Sequence, residues 1–137
     1  MTIQYSNDLC KVTPEQLKDF FVDWPNPPTE AKRLDVLKGS YAVWFAFHEN
    51  RLIGFINAIS DGVFYAHIPL LEVLPEYKGK GIGSELVRLM KDSLSEMYAV
   101  DIVCDPPLKV FYKQRGFVEC SAMVSRCYEN QSAGSKS

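Results

Sequence analysis

Alternating glycines between an apolar segment and an amphipathic one are the residues best placed to do chemistry. The apolar segment ends at Pro75, and Gly79, Gly81 and Gly83 follow it. Glycine has no Cβ, so its backbone can approach a phosphate closely. At a helix N-terminus, unpaired N–H groups and the helix dipole attract anions. The order of strand, glycine loop and helix therefore predicts a site for a ligand that carries phosphate.

The spacing of these glycines disfavours two common nucleotide-binding motifs. A P-loop requires GxxxxGK[ST], and no Lys-Ser or Lys-Thr pair directly follows any of these three glycines. A dinucleotide fingerprint requires GxGxxG, but the sixth position is Ser84 when counted from Gly79 and Leu86 when counted from Gly81. A phosphate- or nucleotide-binding domain of either kind is therefore the weaker interpretation.

The same segment resembles motif A of the GNAT superfamily of acetyltransferases, R/Q-x-x-G-x-G/A, which joins the fourth strand of that fold to its third helix. Here the motif runs from Lys78 to Gly83, with Lys78 where Arg or Gln is usual. About 30 residues further on, residues 110–117 (VFYKQRGF) are similar to the FYxxxGF segment of the same family. The resemblance covers residues 2–127 and implies a GNAT N-acetyltransferase.

This resemblance implies that acetyl-CoA is the co-substrate and binds beside the glycine loop. In the family, backbone N–H groups of the loop hold the pyrophosphate, and the pantetheine arm pairs with the preceding strand edge like an added strand. The positions carried over as cofactor-binding are Leu71, Val73, Lys78, Gly79, Lys80, Gly81, Ile82, Gly83 and Ser84. No metal is predicted, because the four cysteines lack CxxC spacing and only His48 and His67 could join them.

Tyr112 is the predicted general acid, again by resemblance. In the family the tyrosine of this segment lies near the thioester sulfur and protonates the departing thiolate. A phenol with a pKa near 10 can donate such a proton. The alternative is a half-buried aromatic side chain with a structural role only.

A general base is also needed, because an alkyl amine is only ~0.1% neutral at neutral pH. His67 falls where several family members carry a Glu or a His that serves as base, and a structural histidine is the alternative. Glu72 lies in an otherwise apolar run, where a carboxylate must be paired or face a wet cleft. Strand alternation predicts that the two side chains lie on opposite faces. Glu72 is slightly preferred, because burial raises the pKa of a carboxylate, and water alone is the third possibility.

The reaction implied by the resemblance is direct transfer to a primary amine in a ternary complex. Cys104 is discounted as an acyl carrier because it has no visible His partner. The amine is a small molecule or a protein group, and its binding residues are not carried over. A loop around Asp23 and Trp24 and an aromatic wall suited to amines are expected there, with core packing as the alternative; the aromatic candidates are Tyr41, Trp44, Phe64 and Tyr65. The rival function is a non-catalytic acyl-CoA-binding regulatory module.

Composition sets the class of protein. The net charge of −2 gives no electrostatic case for nucleic acid or a membrane surface. No apolar run approaches the ~20 residues that cross a bilayer, and no signal peptide is visible. Cysteines without disulfide-like spacing are typical of a reducing compartment. The expectation is one cytoplasmic domain over residues 1–128, a disordered polar tail over residues 129–137, and a possible homodimer.

Hydrophobic periodicity predicts the element order β-αα-βββ-α-β-α-β. Two helices are expected early, one beginning at Thr13 and ending before Pro25, and one capped by Thr29 and ended by Gly39. A helix is expected over residues 107–115 and a final strand over residues 117–128. By resemblance this is an α/β (mixed α+β) GNAT fold. Its central sheet is mixed, mostly antiparallel, flanked by helices, and splayed between strands 4 and 5 (residues 63–74 and 100–104).

Overall fold

A computed structural model describes residues 1–134 of the 137-residue chain. The five strands are β1 (Gln4–Ser6), β2 (Ala42–His48), β3 (Arg51–Ser60), β4 (Tyr65–Val73) and β5 (Ala99–Ile102). The three α-helices are α1 (Glu30–Lys38), α2 (Ile82–Ser93) and α3 (Lys109–Lys113). Short 3₁₀ helices occupy Leu9–Lys11, Pro14–Leu17, Pro75–Tyr77, Pro106–Leu108 and Tyr128–Asn130.

The strands form one sheet in the order β1-β2-β3-β4-β5. All neighbours are antiparallel except β4 and β5, which are parallel and pair from Tyr65 to Ile68 on β4. Beyond Ile68, β4 continues to Val73 while β5 ends, so the two strands leave an opening at their C-terminal ends. The mixed, mostly antiparallel α/β fold with a splay between strands 4 and 5 is therefore confirmed.

The core lies on both faces of this sheet. On one face, Leu86 of α2 approaches β3 at Gly54, where a Cβ would meet the Leu86 Cδ1 at 3.2 Å. On the other face, the ring of Phe20 packs edge-on against Phe55 of β3 at 5.2 Å between centroids. Neighbouring residues of β3 point to opposite faces. Helix α2 therefore packs on the face of Gly54, and the segment before α1 packs on the face of Phe55.

A β-bulge in β4 sets the direction of the side chains that follow it. Asn57 and Ile59 of β3 are two residues apart, but their partners Leu70 and His67 on β4 are three apart. Because of this extra residue, His67 and Glu72 point to the same face of the sheet. Their partners on β3 are Ile59 and Phe55, which lie four residues apart and therefore share a face. The prediction that these two side chains lie on opposite faces is wrong, because simple alternation does not hold across a bulge.

The first predicted helix is also wrong. Between Thr13 and Trp24 only Pro14–Leu17 is helical, as a 3₁₀ turn, and Phe21 and Asp23 have φ of +63° and +65°. The backbone groups that a helix would pair internally are bound by distant side chains. Arg33 donates to the carbonyl oxygens of Leu17, Lys18 and Phe20. The Glu72 carboxylate of β4 accepts from the N–H groups of Phe21 and Val22.

The C-terminal part differs from the prediction as well. Residues 118–127 form no strand with any described residue, and the helix predicted over 107–115 is a 3₁₀ turn followed by α3. Instead of a disordered tail from residue 129, the chain makes the 3₁₀ turn Tyr128–Asn130, and Gln131 Oε1 accepts from Asn26 N at 3.0 Å. Residues 135–137 of the predicted tail lie outside the described residues. Within residues 1–134, no helix is long and apolar enough to span a bilayer.

Candidate active site

A cleft of about 530 Å³ lies between the end of β4, the N-terminus of α2 and helix α3. Most of the predicted cofactor positions line it, namely Leu71, Val73, Lys78, Gly79, Gly81, Ile82, Gly83 and Ser84, and Lys80 does not. The predicted catalytic residues Glu72 and Tyr112 line it too, whereas His67 does not. Four lining residues were not predicted, Tyr77, Leu108, Phe111 and Arg115.

The floor of the cleft is the N-terminus of α2. Gly81 is its N-cap with φ of +83°, and Gly79 has φ of +77°, so both positions favour glycine through the backbone rather than through lack of space. No side chain caps the helix, and the N–H groups of Ile82, Gly83 and Ser84 have no acceptor among the described residues. Such free N–H groups, with the helix dipole, make this end of the cleft a site for an anion.

Arg115 adds a fixed positive charge beside that helix end. Its Nε donates to Ser84 Oγ at 3.0 Å, Nη2 contacts the same oxygen, and Nη1 donates to the Phe111 carbonyl at 2.6 Å. The guanidinium carbon lies 3.6 Å from the centroid of the Phe111 ring. These contacts hold a delocalised cation in the wall of the cleft. The sequence could have indicated Arg115, because this residue lies inside the second sequence motif, at one of its variable positions.

Tyr112 is held in the same wall by two other aromatic rings. Its ring meets Phe111 edge-on at 4.9 Å and Phe117 at 5.6 Å, and the residue is 7% exposed. Burial raises the pKa of the phenol to about 12; the nearby Cys104 thiol adds to the rise and Arg115 opposes it. No described residue hydrogen-bonds to the hydroxyl. Tyr112 is therefore protonated at neutral pH and has a proton available for a group in the cleft.

The carboxylate of Glu72 is already engaged. Its Oε1 accepts from Phe21 N at 2.9 Å and its Oε2 accepts from Val22 N at 3.2 Å. It fastens the segment before α1 to β4, and it also lines the cleft. Both alternatives from the sequence hold for this residue, because the carboxylate is paired and also borders the cleft.

His67 belongs to a second polar group, on the parallel pairing of β4 with β5. Its Nδ1 contacts Oδ1 of Asp101, the residue directly across from it, and each side chain is 41% exposed. The same carboxylate is hydrogen-bonded to Tyr65, which raises the pKa of that phenol. Sequence reasoning did not foresee the role of Asp101, although it is the one charged residue in an otherwise apolar strand.

The four aromatic side chains expected to form one wall for the acceptor do not lie together. Tyr41 and Trp44 line a second cavity, which shares no lining residue with the cleft. Trp44 donates from Nε1 to Ser93 Oγ of α2 at 2.8 Å and therefore lies on the α2 face of the sheet. Tyr65 shares the opposite face with His67 and Asp101, and the Phe64 ring stacks on Tyr98 at 5.0 Å. Within residues 1–134, no three His, Cys, Asp or Glu residues lie together in a way that could hold a metal ion.

The splayed mixed sheet and the glycine-lined helix end define an acetyltransferase of the GNAT class. The family model described as "Acetyltransferase (GNAT) domain" matches residues 9–130, and the chain belongs to that family. It is 41% identical to a candidate acetyltransferase from Deinococcus radiodurans R1, whose crystal structure superposes with a TM-score of 0.92 over 95% of this chain and 92% of that one.

More distant relatives agree with this family. The chain is 29% identical over 111 residues to the uncharacterized N-acetyltransferase ycf52 of Porphyra purpurea, which covers 77% of this chain and 63% of that protein. The ycf52 protein of Pyropia yezoensis is 26% identical, with the same coverage. The chain thus spans about 63% of the length of these curated relatives. A GNAT family acetyltransferase from Streptococcus pneumoniae TIGR4 shares the fold, with a TM-score of 0.75, 24% identity, and coverage of 92% of this chain and 97% of that one.

Proposed function

We propose that this protein transfers the acetyl group of acetyl-CoA directly to a primary amine. One observation carries the proposal: the anion-binding end of α2 and the buried phenol of Tyr112 line the same cleft. A ligand that has both a pyrophosphate and a thioester needs these two kinds of group at the two ends of one groove.

The pyrophosphate end is served by backbone and by charge. The free N–H groups of Ile82, Gly83 and Ser84 are the donors, and Arg115 supplies a cation beside them. Lys78 also lines the cleft, and Lys80 follows it in the loop outside the lining. The pantetheine arm would lie against β4 from Leu71 to Val73, where β5 no longer covers that edge.

Acetyl transfer requires two proton transfers, one from the amine nitrogen and one to the thioester sulfur. The acetyl carbon forms a bond to the amine nitrogen while its bond to sulfur breaks, so the nitrogen loses a proton and the sulfur gains one. Tyr112 is the proposed donor to the sulfur, because its raised pKa keeps it protonated at any physiological pH. Cys104 lies near Tyr112 but has no hydrogen bond to a base among the described residues, which favours direct transfer over an acyl-cysteine route.

His67 is the proposed base, ahead of Glu72. Both oxygens of Glu72 already accept backbone hydrogen bonds, so this carboxylate is better suited to fixing the loop. His67 has its Nδ1 on Asp101, which leaves Nε2 to accept a proton; because His67 lies outside the lining of the cleft, it would take the substrate proton through an intervening water. Asp101 would act as a positioning residue that holds the imidazole in one orientation.

Turnover with a panel of amines tests the proposal. Formation of the acetylated product is followed by mass spectrometry with small alkylamines, arylalkylamines and lysine peptides, and binding of acetyl-CoA and of ATP is measured in parallel. We expect acetyl-CoA binding and turnover of at least one class of amine. Binding of acetyl-CoA with no turnover across the panel would indicate the regulatory module instead. Binding of ATP without acetyl-CoA would reject both.

A further inference from the structure

Tyr77 is the anchor of the loop that leads to the anion-binding end of α2. Within residues 75–81 its side chain is the only one that is partly buried, and the others are exposed. Further along the loop, a Cβ built on Gly79 or Gly81 would meet nothing within 4 Å, so packing does not fix that part. Gly79 and Lys80 make no backbone hydrogen bond to any described residue. The conformation of the glycine loop therefore depends on how Tyr77 is held.

The hairpin between β2 and β3 holds Tyr77 through His48. Glu49 and Asn50 have φ of +49° and +66°, and such a two-residue turn joins the strands tightly. The turn fixes the place of His48, the last residue of β2. Its Nδ1 shares a hydrogen bond of 2.7 Å with the Tyr77 hydroxyl, and the two rings meet edge-on at 5.5 Å between centroids. A rigid part of the sheet is thus bonded to the one anchored side chain of the loop.

Arg51, directly opposite His48 in the hairpin, adds two weaker contacts to the same place. Its guanidinium carbon lies 5.9 Å from the centroid of the Tyr77 ring, and its Nη2 lies 3.6 Å from a carboxylate oxygen of Glu76. Both Arg51 and Glu76 are exposed, so this ion pair contributes little. The His48 side chain is only 23% exposed, and its hydrogen bond is the stronger link. His48 does not line the cleft, so it acts on a ligand there only through Tyr77, which does.

We propose that His48 is a positioning residue of the cofactor site. Through its hydrogen bond to Tyr77, it holds the glycine loop in the conformation that receives the pyrophosphate. The inference rests on the proposed function, because it takes acetyl-CoA as the ligand of the cleft. A loop that is ordered before its ligand arrives loses less conformational freedom on binding, and the ligand binds more tightly. Loss of this hydrogen bond should therefore weaken acetyl-CoA binding and leave the groups that transfer protons in place.

Four variants test this role by calorimetric titration with acetyl-CoA. His48→Leu removes both ring nitrogens at similar volume, and Tyr77→Phe removes the hydroxyl and keeps the ring. Each should raise the Kd about tenfold, the effect of losing roughly one hydrogen bond. His48→Asn should restore most of the affinity, because its side-chain amide places a polar atom near the position of Nδ1. Tyr128→Phe is the matched control, since it removes the hydroxyl of an exposed tyrosine outside the cleft and should leave the Kd unchanged.

Two further measurements separate positioning from a purely structural role. The double variant of His48→Leu with Tyr77→Phe should bind acetyl-CoA no more weakly than either single variant, because both substitutions remove the same hydrogen bond. In turnover, the effect should appear as a raised KM for acetyl-CoA rather than as a lowered kcat. A purely structural role would instead lower the melting temperature of the free protein and leave the Kd of the folded protein unchanged.

The results distinguish this inference from the proposed function. A wild type that does not bind acetyl-CoA would reject both. If the wild type binds and His48→Leu binds equally well, only the role of His48 is wrong. Weaker binding by Tyr77→Phe alone would also overturn it, since the Tyr77 hydroxyl would then contact the ligand directly, as would additive effects in the double variant. Should His48→Leu fail to fold, Tyr77→Phe decides, because an unchanged Kd without the shared hydrogen bond would contradict the inference.

Discussion

At the scale of single residues, the site depends on how each side chain is already occupied. Tyr112 is a buried residue whose hydroxyl has no hydrogen-bond partner among the described residues, whereas Glu72 has both oxygens bound to backbone N–H groups. His67 has one ring nitrogen committed to Asp101. The sequence offers His67 and Glu72 as candidate bases for the amine proton. Their hydrogen bonds distinguish them, because His67 has a ring nitrogen left to react and Glu72 holds a loop.

Replacing Tyr112 with Phe tests the general acid. The ring and its contacts with Phe111 and Phe117 are kept, and only the hydroxyl is lost. Acetyl transfer should fall by ~10²-fold or more, because general acid catalysis contributes about 10²–10⁴. Calorimetric titration should show acetyl-CoA affinity nearly unchanged. Full activity in this variant would make Tyr112 a structural residue.

The raised pKa of Tyr112 also predicts an alkaline loss of stability. The pKa is about 12 in the folded chain and near 10 when unfolded, so the folded state binds the proton more tightly. This contribution is fully present below pH 10 and is lost as the pH rises towards 12. Urea unfolding at pH 9 and pH 11.5 should therefore show a larger decline for the wild type than for Tyr112→Phe. Equal declines would contradict the burial of this phenol.

Chemical rescue tests His67 as the base. His67→Ala should lose ~10²-fold or more in turnover and recover part of it when imidazole is added. Asp101→Asn should lower turnover with acetyl-CoA affinity unchanged. The contrasting variant is Glu72→Gln, which should mainly raise the KM for the amine because the loop of Phe21 and Val22 is loosened. Rescue of Glu72→Ala by acetate, with no rescue of His67→Ala, would reverse the assignment.

At the scale of elements, helix α2 combines two requirements at its first turn. Its buried side must pack on the sheet through Ile82, Leu86, Val87 and Met90, and its N–H groups must stay open to the cleft. Gly81 satisfies the second requirement by its left-handed backbone, which ends the loop without placing a side chain over the helix end. The element therefore serves as part of the core and as part of the site.

Two alanine variants separate these requirements. Gly81→Ala places a Cβ on a backbone with φ of +83° and should cost about 1 kcal/mol of stability. Gly83 has ordinary helical geometry, and its Cβ would lie 3.7 Å from Phe111, so Gly83→Ala should keep or raise the melting temperature of the free protein. Because Gly83 lines the cleft, the acetyl-CoA stabilisation, ~2.7 kcal/mol at 100 times Kd for the wild type, should shrink in Gly83→Ala. If acetyl-CoA stabilised Gly83→Ala as much as the wild type, the ligand would bind elsewhere.

At the scale of the whole molecule, Arg33 joins α1 to the irregular segment before it. This buried side chain donates to the carbonyls of Leu17, Lys18, Phe20 and Pro28, and lies over the Phe21 ring at 5.1 Å. It holds the loop that would border the amine in the proposed function. The Arg33 guanidinium thus binds backbone carbonyls of the irregular segment, which in a regular helix would be paired within the helix itself.

Arg33→Met should therefore destabilise the fold as a whole. The aliphatic stem is kept, but four carbonyl oxygens lose the guanidinium as a donor. Leu17 O still accepts from Phe20 N at 3.2 Å, whereas the other three have no second donor among the described residues, and each buried unsatisfied group costs ~1–3 kcal/mol. The melting temperature should fall by ten degrees or more, with Arg33→Lys intermediate because an ammonium cannot span the same four acceptors. Lys32→Met, on the exposed side of the same helix, is the control and should change little. A similar melting temperature for both would show that water replaces the guanidinium.

Local patterns predicted the elements that form from neighbouring residues. The glycine loop, α2 and the five strands follow from periodicity and glycine spacing, and the second motif indicated α3 and Tyr112. The failures arise where distant residues decide the backbone. Arg33 and Glu72 bind backbone groups of the segment before α1 and so prevent a regular helix there, and the bulge in β4 places His67 on the same face as Glu72. Residues 118–127 have the sequence pattern of a strand but pair with no strand among the described residues.

The double role of Glu72 has a further consequence for how the two substrates are bound. In the proposed function, one carboxylate forms part of the wall that binds the cofactor and also holds two N–H groups of the loop beside the amine. Whatever acetyl-CoA does to this carboxylate is transmitted to the loop through two hydrogen bonds. Thermodynamic linkage then requires reciprocity: if the cofactor tightens amine binding by some factor, the amine tightens cofactor binding by the same factor. Coupled binding of the two substrates is therefore expected of a site whose two halves share one side chain.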